Sequence, residues 1–458
     1  MSEISQYTES LHEECGVFGM YDKTGETDMV SAVYSALYAL QHRGQESCGI
    51  ALNVDGVLSG YRDLGLVSEV FTKRVLEELP RGAKMATGHV RYATAGQRSR
   101  SNAQPMVLHH CKGAMAVCHN GNLVNAPKLR RKLEMSGSIF HGTSDTEVIA
   151  YLLTQNRLLT PNIEMAVSRT MDDIEGAYSL VIMTHTKLIA ARDPNGFRPL
   201  CIGELPDGNG YAFASESCAL DAVGAKFVRD VRPGEIVIAD RNGLRTMEDH
   251  CGAAPHTMCV FEYIYFARPD SVIEGTCVHE ARLQAGRFLA QEHPVEADVV
   301  IGAPDSGLDA ALGYAQEHVA AVIDAFYPGE QGGLAVADLL YGEYSPSGRL
   351  PVTFYRSTED LPDFREYSMR GRTYRYLDKE PLYPFGYGLS YTTFVYEPLA
   401  RERTEARVGE SVSFEVTVRN TGKMDSLEHV QVYVTAESPS VTAPHCALKG
   451  LRTQFIPA

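Results

Sequence analysis

Tryptophan is absent from the 458 residues, and Lys plus Arg (42) fall well short of Asp plus Glu (58). The net charge of −16 works against nonspecific nucleic-acid binding, which needs clustered cations to neutralise phosphates. The only basic cluster, Lys128 to Lys132, is short and reads as the solvated face of a helix. None of the ten cysteines stands in C-x-x-C spacing, so neither a zinc site nor a disulfide framework is legible; reduced thiols in a cytoplasmic compartment fit best. No run approaches the roughly 20 apolar residues of a membrane-spanning helix, so no membrane contact is expected. Residues 1–14 are acidic and lack an apolar core, which excludes a secretory signal. What remains, 22% charged and 44% apolar, suits a soluble globular chain of roughly two to four domains.

The texture changes twice along the chain. From Cys15 to about residue 245, short alternating strands (Val17–Met20, Ile50–Val54, Leu180–Met183, Ile236–Ala239) mix with helical stretches (Met29–Leu40, Thr146–Leu153), predicting an α+β domain of layered sheet and helix. From about Met258 to Ala315 the pattern is helix-rich, with a strand at Ala297–Gly302 and a turn at Ala303–Gly307. Beyond residue 316, Pro and Gly are frequent between Pro328 and Gly388, and Tyr is dense from Tyr367 to Tyr396. Two alternating strands follow, one carrying Val412, Phe414, Val416 and Val418, the other Val430, Val432 and Val434. Asn420-Thr421-Gly422 supplies turn residues between them, predicting an antiparallel sandwich.

Cys15 sits in E-E-C-G-V-F-G. A mid-chain cysteine has no built-in base. Cleavage of the Glu14–Cys15 bond would give it an α-amine, titrating near about 7.7–8.0, that accepts the thiol proton and returns it to a leaving amine. Taken alone, Cys15 reads more readily as a buried structural cysteine. Downstream lie H-R-G-Q-E (His42–Glu46), G-H-V-R-Y-A-T-A-G (Gly88–Gly96), H-N-G-N-L (His119–Leu123) and T-S-D-T-E (Thr143–Glu147). Hydrolysis of a free amino acid's side-chain amide needs a cation for the α-carboxylate, and Arg91 suits it. It needs a carboxylate for the α-ammonium, for which Asp145 is the candidate, although a residue at a helix start also reads as an N-terminal cap. The oxyanion needs neutral donors, which Asn120 and Gly121 would supply. Arg43 and Thr94 are further candidates for substrate contact, each with a purely structural alternative.

In order and spacing these segments resemble the glutaminase domain of the amidophosphoribosyltransferases, which are N-terminal-nucleophile hydrolases. The likeness continues through E-G-A-Y-S (Glu175–Ser179), A-R-D-P-N-G-F-R-P-L (Ala191–Leu200), A-S-E-S (Ala214–Ser217) and V-R-P-G-E (Val231–Glu235), to about residue 316. The resemblance implies an αββα sandwich over residues 15–250 and a propeptide, 1–14, removed by self-cleavage. It implies the same roles for Arg91, Asn120, Gly121 and Asp145, L-glutamine as substrate and a place in purine biosynthesis. Phosphoribosyl pyrophosphate is a partner by family analogy only.

Residues 251–316 resemble the start of the family's transferase domain, through C-V-F-E-Y-I-Y-F-A-R-P-D-S (Cys259–Ser271) and V-I-G-A-P-D-S-G (Val300–Gly307). The acidic pair and Gly/Thr turn that would hold phosphoribosyl pyrophosphate are missing, since the only Asp-Asp pair, Asp172-Asp173, runs into Ile-Glu-Gly-Ala. Transfer is therefore expected to be lost. No cofactor is expected: the family's Mg2+ site is incomplete, and of its four iron–sulfur ligands Cys259 alone has a counterpart, Cys277 and Cys446 not matching. From about His318 onward, A-F-Y-P-G-E-Q-G-G, S-P-S-G-R-L-P-V-T-F-Y, G-R-T-Y-R-Y and P-L-Y-P-F-G-Y-G-L-S-Y-T-T-F resemble the C-terminal part of glycoside hydrolase family 3. This implies an α/β sandwich remnant over 317–396 and a partial fibronectin-type-III-like β-sandwich over 397–458. A retaining glycosidase needs paired carboxylates; Glu330 and Glu343 read as surface residues, so the glycosidase reading remains only an alternative. The junction near Gln316–Val319 falls inside a domain of both families, as expected of a chimeric or misassembled chain, and unpaired edges favour homo-oligomers or aggregation.

Overall fold

A computed structural model describes residues 15–92, 99–295, 300–303, 305–318, 323, 331–363, 366, 368–398, 400–401, 407, 410, 413–437 and 443–458. The expectations for residues 1–14, Thr94, Ala297 to Val299 and Glu330 lie outside the described residues. The chain divides into two compact units, Met1–Val322 and Ile323–Ala458.

Thirteen strands dominate the first unit: β1 (Gly16–Asp22), β2 (Ser47–Val54), β3 (Val57–Leu64), β4 (Met85–Arg91), β5 (Met106–His110), β6 (Gly113–Leu123), β7 (Gly176–Thr184), β8 (Leu188–Arg192), β9 (Cys201–Glu204), β10 (Gly210–Ala214), β11 (Lys226–Asp230), β12 (Ile236–Asp240) and β13 (Gly243–Met247). They form a sheet of order β11-β9-β10-β1-β4-β2-β3 and another of order β13-β12-β8-β7-β6-β5, with antiparallel neighbours throughout.

The period-two alternation of side chains decides the layering. Val17 and Tyr21 of β1, Val181 and Met183 of β7, and Val237 and Ala239 of β12 share one core, which lies between the two sheets. The intervening residues of β1, Phe18 and Met20, face a second core with helix α1 (Met29–Ala39), while Leu180, Ile182, Ile236 and Ile238 face a third with the helices of the other side. Strands buried on both faces explain why these segments read as near-continuous apolar runs. The sheets meet closely because small residues line the middle layer: a Cβ at Gly19 would stand 2.6 Å from Val181 Cγ1.

On the outer face of the first sheet lie α1 and the short helices α2 (Val67–Val70) and α3 (Lys73–Glu78). Asp28 caps α1, its carboxylate accepting from the Ser31 N–H and hydroxyl. Helices α4 (Ala126–Met135), α5 (Asp145–Leu159) and α6 (Ile163–Asp173) cover the second sheet, and α7 (Ser217–Ala222) returns to the first. The basic cluster falls on α4, where Arg130 pairs with Glu134 and lies over the Phe140 ring. The Asp172-Asp173 pair ends α6 and is engaged structurally: Asp173 accepts from Asn156 and Asp172 bonds His250.

Helices α8 (Val278–Glu292) and α9 (Gly307–His318) close the unit. They approach to backbone contact, since a Cβ at Gly286 would lie 1.9 Å from the Ala310 carbonyl oxygen. The strand expected up to Gly302 is corrected: Val300–Gly302 is not a strand, having no neighbouring ladder among the described residues.

The second unit has helix α10 (Gly332–Leu340) and two-stranded ribbons: Phe394–Tyr396 with Val418–Asn420, Ala400–Arg401 with Phe414–Glu415, and Ser426–Val434 with Ala447–Ile456. The sandwich expectation needs correcting here. The Asn420–Gly422 turn forms, with Asn420 Oδ1 accepting from Gly422 N–H and Thr392 Oγ1, but it does not join two paired strands. The strand before it pairs with Phe394–Tyr396, and the strand after it with the distant Ala447–Ile456.

Truncation of Leu37, fully buried between α1 and Gly88, tests this packing. Leu37→Ala is expected to cost about 2–5 kcal/mol, read as a lower urea midpoint for the first unit; an unchanged midpoint would contradict it.

Candidate active site

Cys15 immediately precedes β1, near the middle of the first sheet. Gly16 pairs with Val90, which sets Cys15 beside the end of β4, and its Sγ lies 3.4 Å from the Tyr92 carbonyl oxygen. No side chain fits at Gly16: a Cβ there would be 2.9 Å from Val90 Cγ2.

Arg43, on the turn after α1, is fully buried beneath this point. Its Nε donates to the Cys15 carbonyl at 3.0 Å, Nη1 to Glu216 at 2.6 Å and Glu262 at 2.8 Å, and Nη2 to Glu262 at 2.8 Å. The substrate-contact expectation for Arg43 is therefore corrected. Committed to two carboxylates and a main-chain oxygen, its guanidinium holds the backbone of Cys15. Sequence reasoning assigned no role to Glu216 or Glu262, although both stand in segments that carry the family resemblance. Glu216 also takes bonds from His42, Ser271 Oγ and the Arg268 N–H. Burial opposes its charge, but the charges of His42 and Arg43 and these hydrogen bonds hold its carboxyl well below the usual range.

The second sheet contributes β6. His89 Nε2 meets the His119 carbonyl at 2.9 Å, and Thr87 Oγ1 meets Cys118 Sγ at 3.1 Å. These contacts tie β4 to β6 across the inner layer and bring Asn120-Gly121 to the end where β4 finishes in Arg91. Asn120 is fully buried, and neither its Nδ2 nor its Oδ1 has a hydrogen-bond partner among the described residues. Gly121 has φ +143°, and a Cβ there would lie 2.0 Å from the Ala177 oxygen, so only glycine fits.

Asp145 opens α5, but the helix cap falls to its neighbour: Ser144 Oγ accepts from Thr146 N–H at 3.2 Å. The Asp145 carboxylate accepts from Leu123 N–H at 3.0 Å and lies 3.6 Å from His119 Nδ1. Burial would raise its pKa, yet His119 and the Leu123 and Thr146 N–H groups lower it, so the site keeps an anion. A buried polar layer supports this arrangement. Gln104 accepts from His119 N–H and donates to Thr146 Oγ1, which also meets His119 Nδ1. Burial above all pushes His89 down to about 3, leaving it neutral. None of these supporting residues was given a role from the sequence, because the partner of each comes from elsewhere in the chain.

Arg91 donates through Nη1 to Glu46 Oε1 at 2.6 Å, both side chains being almost wholly buried. Thr94 lies outside the described residues. The arrangement thus brings together a thiol, a guanidinium, a held carboxylate and a buried amide. Among the described residues no group of three or more His, Cys, Asp and Glu converges as a metal site; Cys277 Sγ is engaged by the Pro269 carbonyl.

In the second unit, a cavity of about 670 Å³ is lined by residues including Tyr374, Phe385, Tyr387, Tyr396 and Glu428. Among the described residues Glu428 is the one carboxylate that lines it, and Arg349 and Tyr396 bond that group.

A family model described as a glutamine amidotransferase domain matches residues 89–222, and the glycosyl hydrolase family 3 C-terminal domain matches 299–391. The amidophosphoribosyltransferase of Staphylococcus aureus (strain MRSA252) is 44% identical over 307 residues, covering 67% of this chain and 60% of that protein. That of Archaeoglobus fulgidus is 46% identical over 303 residues, covering 66% and 65%. The solved glutamine phosphoribosylpyrophosphate amidotransferase from B. subtilis, complexed with ADP and GMP, superposes with a TM-score of 0.62 at 40% identity, covering 70% of each chain. The chain spans about 60% of the length of the first of these curated relatives.

The Arg43 cluster can be tested without reference to activity. Arg43→Met leaves Glu216 and Glu262 buried with a cation missing, at an expected cost of about 3–5 kcal/mol in urea unfolding; a cost near zero would show that the cluster does not anchor the fold.

Proposed function

Over about three hundred of its residues this chain belongs to the amidophosphoribosyltransferase family, and on that premise we propose that it hydrolyses L-glutamine to glutamate and ammonia through a thioester at Cys15. Residues 15–250 form the glutaminase domain, 251–316 the start of a transferase domain, and 317–396 and 397–458 glycoside-hydrolase-derived remnants. Removal of residues 1–14 frees the Cys15 α-amine. The amine takes the thiol proton as Sγ attacks the amide carbon; the S–C bond forms, the tetrahedral oxyanion collapses, and the C–N bond breaks as the amine protonates departing ammonia. Water then cleaves the thioester to glutamate.

Arg91 takes the substrate α-carboxylate and Asp145 the α-ammonium, which an ionised carboxylate suits. Asn120 Nδ2 and the Gly121 N–H stabilise the oxyanion. The observation that carries the reading is the Asn120 carboxamide, fully buried with both polar atoms unpartnered, beside a glycine that no other residue can replace. Thr94, by family analogy, adds a substrate contact. The chemistry calls for no metal or redox group. Ammonia supply to purine biosynthesis is the role this fits; phosphoribosyl transfer is lost with the missing loop, and the compartment is the cytoplasm.

Mass spectrometry of the purified protein is expected to show a chain beginning at Cys15, and Cys15→Ala to release no ammonia. Asn120→Ala should lower kcat by about 10²–10³-fold with little change in KM. A chain that still begins at Met1 and releases ammonia at an undiminished rate overturns the mechanism.

A further inference from the structure

The H-R-G-Q-E segment does two jobs three residues apart. Arg43 fixes the Cys15 carbonyl, and Glu46 fixes Arg91 at both main chain and side chain. The Glu46 N–H donates to the Arg91 carbonyl at 3.0 Å, the Glu46 carbonyl accepts from Gly65 N–H at 2.8 Å, and Glu46 Oε1 accepts from Arg91 Nη1 at 2.6 Å. Gly44 allows this approach, since a Cβ there would lie 2.6 Å from Arg91 N. With 3% and 9% of their side chains exposed, neither partner of the pair can drift into solvent.

We infer that Glu46 is a positioning residue for substrate recognition, holding the Arg91 guanidinium in the orientation that receives the α-carboxylate of glutamine. This rests on the role given to Arg91 under the proposed function. Arginine recognises a carboxylate through a rigid planar fork, so its orientation matters as much as its charge. A buried ion pair is weak grounds for stability by itself, and positioning gives this one a purpose that a merely structural pair would lack.

The test compares L-glutamine with its α-methyl ester, which keeps the side-chain amide and the ammonium but has no carboxylate. In the wild type the ester should show the higher KM. Glu46→Ala should raise KM for glutamine about tenfold or more, the worth of one charge-assisted hydrogen bond, with kcat unchanged and KM for the ester unmoved. Glu46→Gln keeps an acceptor at the same reach and should restore KM for glutamine. Glu46→Asp, which withdraws the oxygen, should behave like Glu46→Ala and decides the matter if the alanine variant does not fold. Equal KM rises for glutamine and ester in both Glu46→Ala and Glu46→Asp overturn the inference while leaving the glutaminase reading intact. A wild type that does not distinguish glutamine from its ester overturns the role of Arg91, and the inference with it.

Discussion

The position of Cys15 depends on one buried cation. Arg43 has no contact with water, and a guanidinium in that environment is tolerable only because two carboxylates and a carbonyl oxygen surround it. Its partners come from far along the chain: Glu216 lies 173 residues away and Glu262 lies 219 away. The loop that holds Cys15 is thus complete only when α7 and the segment near Phe266 have docked. Ser271 and the Arg268 N–H then bind the same Glu216, so the path leading into α8 is fixed by the charge cluster that fixes Cys15. Removing charge from the cluster leaves polar atoms stranded in a dry core, where each is most costly.

Much of the first unit was legible because its strands are short, apolar runs set apart from its helical stretches. Phe18 and Met20 against Val17 and Tyr21, or Leu180 and Ile182 against Val181 and Met183, separate outer from inner cores by parity alone. The candidate residues were legible as candidates where polar side chains are dense, as at His119–Leu123 and Thr143–Glu147. The supporting layer was not. His89 and Gln104 offer no chemistry of their own in the sequence, and Thr146 is one of several polar residues beside Asp145; each makes sense only when the bond from β4 to the His119 carbonyl, or from Gln104 to α5, is seen. Arg43 could be read either as a substrate contact or as a structural ion-pair partner for the same reason: the two carboxylates placed on it come from distant parts of the chain.

The second unit shows the opposite failure. Its alternating valines promised a sandwich, but a sandwich needs two multi-stranded sheets with facing apolar surfaces. The described strands form two-stranded ribbons, and a lone pair of strands is marginal in water. Leu451 is 62% exposed and Phe455 55%, on the longest of these strands. Local alternation there is genuine, and what it lacks is a partner surface. Periodicity reports which face is apolar, never whether a second sheet exists to cover it.

In the first unit the unmet polar groups are the informative ones. A buried carboxamide without partners costs about 1–3 kcal/mol, so a core seldom keeps one. Asn120 keeps both of its polar atoms unpartnered while strand pairing holds its backbone between Gln104-bound His119 and the sterically locked Gly121. Asp145 has the Leu123 N–H, and Gln104 has both His119 and Thr146. Among the described residues His119 Nε2, His89 Nδ1 and the Tyr178 hydroxyl also lack partners, but each of these side chains has one polar atom short, whereas Asn120 has both its donor and its acceptor unmet. A donor kept rigid and unpaired contributes nothing to the resting fold. Under the proposed function it would gain its partner when negative charge develops on an oxygen nearby, and its rigidity would leave little reorganisation to that moment.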